Sequence, residues 1–139
     1  MGEFSSQNIS NTVYAVGLLG YKHDAFLKAV SLHIPARLGQ FNAQNISNIV
    51  YALGLLGYAH DTLLKAICLT VPARLPEFKA LEISNMVYGL VCLCQKHSPC
   101  LKTIGSHVPL RFSEFHSQNL RSIANTSRCR LGGMLPARC

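Results

Sequence analysis

The sequence predicts an all-α fold of stacked helix pairs, an αα-solenoid, on three observations. Phe4, Phe41, Phe78 and Phe115 recur at a spacing of 37 residues. Aligning residues 4–40 with 41–77 gives 24 identities in 37 columns. Within each copy the apolar residues fall at spacings of three and four, and glycine and proline interrupt them at the same places. A fixed period of this length makes each unit one supersecondary element whose apolar face is covered by its neighbours, so roughly three units are the minimum for stability.

In the first unit, helix A is expected over about Ser6–Leu19, with Ile9, Thr12, Val13, Val16 and Leu19 on one apolar face. Gly20 stands where a helix C-terminus turns left-handed. Asp24 is expected to cap helix B, whose stripe is Leu27, Val30 and Ile34. Pro35 should end that helix or open a short one as its first residue, because it lacks a backbone donor and disfavours helical geometry before it. The units are 4–40, 41–77 and 78–114, with a partial fourth at 115–124. The third copy is more diverged but keeps Ile83-Ser84-Asn85, Val87-Tyr88, His97 and Pro109. Residues 125–139 lose the period and form an irregular basic tail.

Composition narrows the function classes. The chain is 49% apolar and 14% charged, enough for one core. Its longest uncharged apolar runs, such as VYAVGLLGY, are far shorter than the roughly 20 residues that cross a bilayer, so no membrane span is expected. The start, MGEFSSQNISN, has neither a secretory nor a transit-peptide layout. Of the net charge of +7, residues 1–120 carry +3 (nine Lys/Arg less six Asp/Glu) and Arg121, Arg128, Arg130 and Arg138 supply the other +4. That balance is compatible with a polyanionic partner without specifying one. Cys92, Cys94, His97 and Cys100 have metal-ligand spacing, but in register they replace Leu18, Gly20, His23 and Phe26, so they read as core and turn residues. The His23-Asp24 and His60-Asp61 pairs have no recurring nucleophile near them and read as an Asp cap beside a turn histidine. No catalytic residue, metal, cofactor or small-molecule substrate is expected.

The line F-x-x-Q-N-I-S-N-x-V-Y-A-L-G-L-L-G-Y, followed by H-D-x-x-L-K-A and a proline-containing end, resembles the heptatricopeptide and octotricopeptide repeats over residues 4–124. The period of 37 favours the heptatricopeptide form, and Tyr14, Tyr51 and Tyr88 stand where tryptophan is common. The resemblance implies a right-handed superhelix of helix pairs, armadillo- or HEAT-like, acting in RNA metabolism in a mitochondrion or plastid. It also implies that a RAP domain, where the parent protein has one, lies outside this chain.

On a helical wheel, Gln7, Ser10, Asn11 and Tyr14 lie opposite Ile9 and Val13, as do Gln44, Ser47, Asn48 and Tyr51, then Leu81, Ser84, Asn85 and Tyr88. Amides that donate and accept, beside rings that stack, are what reading splayed single-stranded bases requires. The same residues also suit an inter-repeat hydrogen-bond ladder and a tyrosine core. Columns that vary between repeats, Gln7/Gln44/Leu81 and Asn8/Asn45/Glu82, are where base identity would be read. Lys28, Lys65 and Lys102, and Arg37, Arg74 and Arg111, form two basic columns fit to follow a phosphate backbone or, alternatively, to be solvated or to bond neighbouring carbonyls. Single-stranded RNA, with other proteins of an RNA-processing or ribosomal complex, is the expected partner. A peptide-binding scaffold of armadillo or HEAT type is the alternative. Three repeats would contact only about three or four bases at one base per repeat, so a longer parent protein is expected.

Overall fold

The structure, a computed structural model, describes residues 4–93 and 99–116, and all of it is helix and connecting turn; there is no strand among the described residues. The A helices are α1 (Ser6–Leu19), α3 (Ala43–Leu56) and α5 (Ala80–Cys92). The B helices are α2 (Asp24–His33), α4 (Asp61–Arg74) and α6 (Pro99–His107). Helix α3 packs between α1 and α5, and α4 packs against both α2 and α6, so the A helices form one row and the B helices another. One continuous core joins the rows, with the repeat columns Ile9/Ile46/Ile83, Val13/Val50/Val87 and Leu27/Leu64 buried in it. The partial fourth repeat beyond His116, the tail at 125–139, and Cys94 and His97 lie outside the described residues.

Helix A begins and ends as its sequence asks. Ser5 Oγ accepts from Asn8 N at 3.1 Å, and Asn42 Oδ1 from Asn45 N at 2.7 Å. At the other end Gly20 and Gly57 take φ of 68° and 62°, a conformation in which a side chain is strained. The amide of Gly20 bonds Gly17 O and that of Tyr21 bonds Val16 O, the paired closure that satisfies the last helical carbonyls, and Gly57 and Tyr58 repeat it.

Three expectations change. Helix B is capped by histidine, not by Asp24. His23 is extended (φ −96°, ψ 98°) and its Nδ1 accepts from Phe26 N at 3.1 Å, while His60 Nδ1 faces Leu63 N at 3.4 Å. Asp24 and Asp61 are already helical, in the first turn where a carboxylate complements the helix dipole. Replacing His60 with alanine is therefore expected to cost about 1 kcal/mol in chemical denaturation, and asparagine should recover most of it. Second, proline does not always end helix B. The chain turns to a 3-10 helix at Pro35–Gln40, but α4 continues through Pro72 to Arg74. Ile34 and Val71, immediately before the prolines, are fully buried. Burial of such a side chain contributes about 1.5–3 kcal/mol and holds Ile34 in helical geometry against the preference proline imposes on its predecessor. Third, Thr12 and Leu19 are exposed, whereas Ile49, which matches Thr12, is buried. Among the described residues α1 has an A helix on one side and α3 has one on each, so the inward face of α3 is wider.

The A row is tighter than its apolar stripe alone requires. A Cβ on Gly17 would lie 2.6 Å from Ala52 Cβ, one on Gly54 would lie 2.7 Å from Gly89 Cα, and one on Gly89 would overlap the Val50 carbonyl. Glycine inside a helix costs about 1 kcal/mol relative to alanine, and close helix approach is what it is used for here.

Candidate nucleic-acid interface

The outer face of the A row is set by helical phase. In α3 the positions facing the core and the neighbouring A helices carry Ile46, Ser47, Val50, Leu53 and Gly54, all buried. What remains on the far side is Gln44, Asn48, Tyr51 and Leu55. The same phase gives Gln7, Asn11, Tyr14 and Leu18 in α1, and Leu81, Asn85 and Tyr88 in α5. Among the described residues the amides of Gln7, Asn11, Gln44, Asn48 and Asn85 have no side-chain hydrogen bond to the protein. The expected stripe is thus intact in its Gln, Asn and Tyr columns. It extends one step further than expected, to Leu18 and Leu55, which a fourth term in the i, i+4, i+7, i+11 series would have found.

The tyrosines form a ladder. Ring centroids of Tyr14 and Tyr51 lie 6.2 Å apart and those of Tyr51 and Tyr88 5.1 Å apart, tilted by 38° and 43°. Such pairs contribute about 0.5–1.5 kcal/mol each beyond their buried area. A base inserted between two rings needs about 7 Å between the rings that flank it, twice the ~3.4 Å stacking rise. The rings therefore offer a half-buried rail on which bases can lie, rather than slots between which they intercalate.

Several expected site residues have other work. Ser10, Ser47 and Ser84 are buried, and Ser10 Oγ donates across the row to Asn45 O at 3.2 Å. Ser47 and Ser84 donate within their own helices, to Gln44 O and Ala80 O. Asn45 Oδ1 accepts from Asn42 N at 3.1 Å and Glu82 Oε2 from Lys79 N at 2.7 Å, which makes these third-position residues helix caps rather than base readers. Asn8 occupies the same third position, but there only the backbone is engaged: its N–H donates to Ser5 Oγ and its carbonyl accepts from Thr12 Oγ1, and its side chain is exposed.

The arginine column is a set of latches. Arg74 donates to Phe41 O at 2.9 Å and Leu38 O at 3.5 Å, and to Glu77 at 3.0 Å. Arg111 donates to Leu75 O at 3.1 Å and to Glu114 at 2.6 Å, and Arg37 to Phe4 O at 3.1 Å and to the Gln40 side chain. Each reaches back 33 or 36 residues to the preceding junction, and Arg37 and Arg111 also meet His33 and His107. The hydrogen bond from Arg111 holds the Glu114 carboxyl below the usual carboxylate range. These bonds match the second of the two roles the sequence left open for Arg37, Arg74 and Arg111, and they compete with phosphate for the guanidinium donors.

Lys28, Lys65 and Lys102 are exposed and form no ion pair with an acid. In α4, however, the buried face is Leu64, Ile67 and Val71, and Lys65 lies beside Leu69 on the outer side of the B row. The core lies between this lysine column and the Gln-Asn-Tyr stripe. By helical phase the stripe and the lysine column point away from the core on different rows, which sets the stripe apart from the lysines as the candidate face for a single strand.

Among the described residues no group of three or more His, Cys, Asp and Glu side chains is placed to hold a metal. Cys100 is fully buried, and its hydrogen bond with Cys68, followed by burial, pushes its thiol far above the ordinary range, which keeps it protonated. No described helix is long and apolar enough to cross a membrane. Comparison with protein-family models finds no match, and comparison with curated proteins finds none.

Proposed function

We propose that this chain is a segment of a right-handed αα-solenoid that binds single-stranded RNA, without catalysis, along the outer face of its A helices. The observation that carries the reading is the row of Asn11, Asn48 and Asn85 amides, unbonded to the protein, running beside the Tyr14–Tyr51–Tyr88 ladder. Polar groups that both donate and accept read base edges, and the aromatic rail contributes stacking of roughly 1–3 kcal/mol per base with little sequence preference. The resemblance to heptatricopeptide repeats supports the same partner and extends the reading to RNA processing, stability or translation in a mitochondrion or plastid, in company with other proteins of such a complex.

Fluorescence anisotropy with short single-stranded RNAs tests it. The Asn11→Ala/Asn48→Ala pair is expected to weaken binding by tenfold or more, about 1.4 kcal/mol. The Lys28→Ala/Lys65→Ala pair, on the far surface, is expected to change it by less than about threefold, or roughly 0.7 kcal/mol. Equal losses from both pairs would sink the assignment of the A face.

One observation favours a second reading. None of Gln7, Asn11, Tyr14, Leu18, Gln44, Asn48, Tyr51 or Leu55 is charged at neutral pH, and a neutral amide and aromatic groove with exposed leucines also fits an extended peptide. A peptide bound there would displace RNA from the wild-type chain, and its affinity would be insensitive to salt.

A further inference from the structure

Resting on the RNA reading above, we infer that the A face selects a step of two identical consecutive bases, and that Leu81 ends the selection at the third repeat. Repeats one and two carry the same polar set at the same helical phase, Gln7 and Asn11 against Gln44 and Asn48. The two helices run in the same direction, and the approach of Gly17 to Ala52 and the contact of Tyr14 with Tyr51 fix their register. Donors and acceptors repeated in this way present one hydrogen-bonding pattern to two successive ligand units. A base that satisfies the first pattern best also satisfies the second best, so two unlike bases always leave one position with the poorer match. In the third repeat the glutamine column becomes Leu81, 60% exposed and able neither to donate nor to accept. Asn85 and Tyr88 remain, so a third base is still stacked there but loses one of its two amide contacts.

The test uses the full chain and the Leu81→Gln variant, whose exposed position leaves the fold alone. Each of the sixteen dinucleotide steps is placed in an otherwise abasic RNA octamer and titrated by anisotropy at low salt, and for both chains each of the four bases is then added next to the tightest step, on either side of it. The tightest of the sixteen is expected to be one of the four homodinucleotides, with replacement of either base weakening it by about tenfold, the size of one good amide–base pairing. Leu81→Gln is expected to add a similar tenfold preference for the same base at the third position. A heterodinucleotide that binds at least threefold tighter than every homodinucleotide, or a Leu81→Gln chain with no new third-base preference, overturns the inference while RNA binding itself stands. Absence of binding to every octamer and to unmodified RNA removes the RNA reading and the inference together.

Discussion

Replacing Gly89 with alanine destabilises the chain by about 3 kcal/mol in denaturant unfolding, the upper part of the range for overpacked sites. The added methyl group would overlap the Val50 carbonyl of the neighbouring A helix, and backbone has no rotamer into which to retreat. Either α5 moves away from α3, opening the contact of Gly54 with Gly89, or the helix shifts along its axis and breaks the tyrosine ladder. Gly105→Ala in α6 is the control. Nothing lies within 4 Å of the Cβ it would add, and the change should stabilise the helix by up to about 1 kcal/mol. Opposite signs for one chemical change at two helical glycines would establish that the A row, and not helix propensity, decides the cost. Equal effects would contradict the close approach.

Arg74→Ala is expected to cost about 2–3 kcal/mol, and Arg74→Lys to recover little of it. The guanidinium bonds two carbonyls of the preceding junction and Glu77 at once, and hydrogen bonds from charged groups are worth about 1.5–3 kcal/mol. Its ion pair with the exposed Glu77 contributes little of this, because water screens it. Lysine offers a single point of charge where a planar fork is used. A loss of stability with unchanged RNA affinity per folded molecule would separate the latch from the binding face. A loss of affinity at full stability would return the arginine column to the interface.

Much of this was legible because the repeat supplies its own alignment. The bounds of α1, the left-handed glycines at 20 and 57, and the outer stripe at Gln7, Asn11 and Tyr14 all follow from local period and turn chemistry. What was not legible depends on neighbours. Gly17 and Gly54 were a readable signal, since glycine recurring in mid-helix has a cost that only close packing offsets. The histidine cap was hidden by an adjacent aspartate, the commoner capping residue, and only backbone geometry distinguishes the two. The sequence leaves the arginines open between phosphate and neighbouring carbonyls, and only the fold brings the carbonyls 33 and 36 residues earlier beside them. A column of lysines on one helix and amides on another reads as one site along the chain. Which side of the core each faces is a property of the packed pair.

Photo-crosslinking tests the placement of the strand most directly. Short single-stranded RNA carrying 4-thiouridine is bound to the full chain, irradiated, digested, and the modified peptides are identified by mass spectrometry. Adducts on the A helices at Tyr14, Tyr51 and Tyr88, with the peptides carrying Lys28 and Lys65 unmodified, are the predicted result. Adducts concentrated on the B helices would place the RNA on the lysine surface and contradict the account.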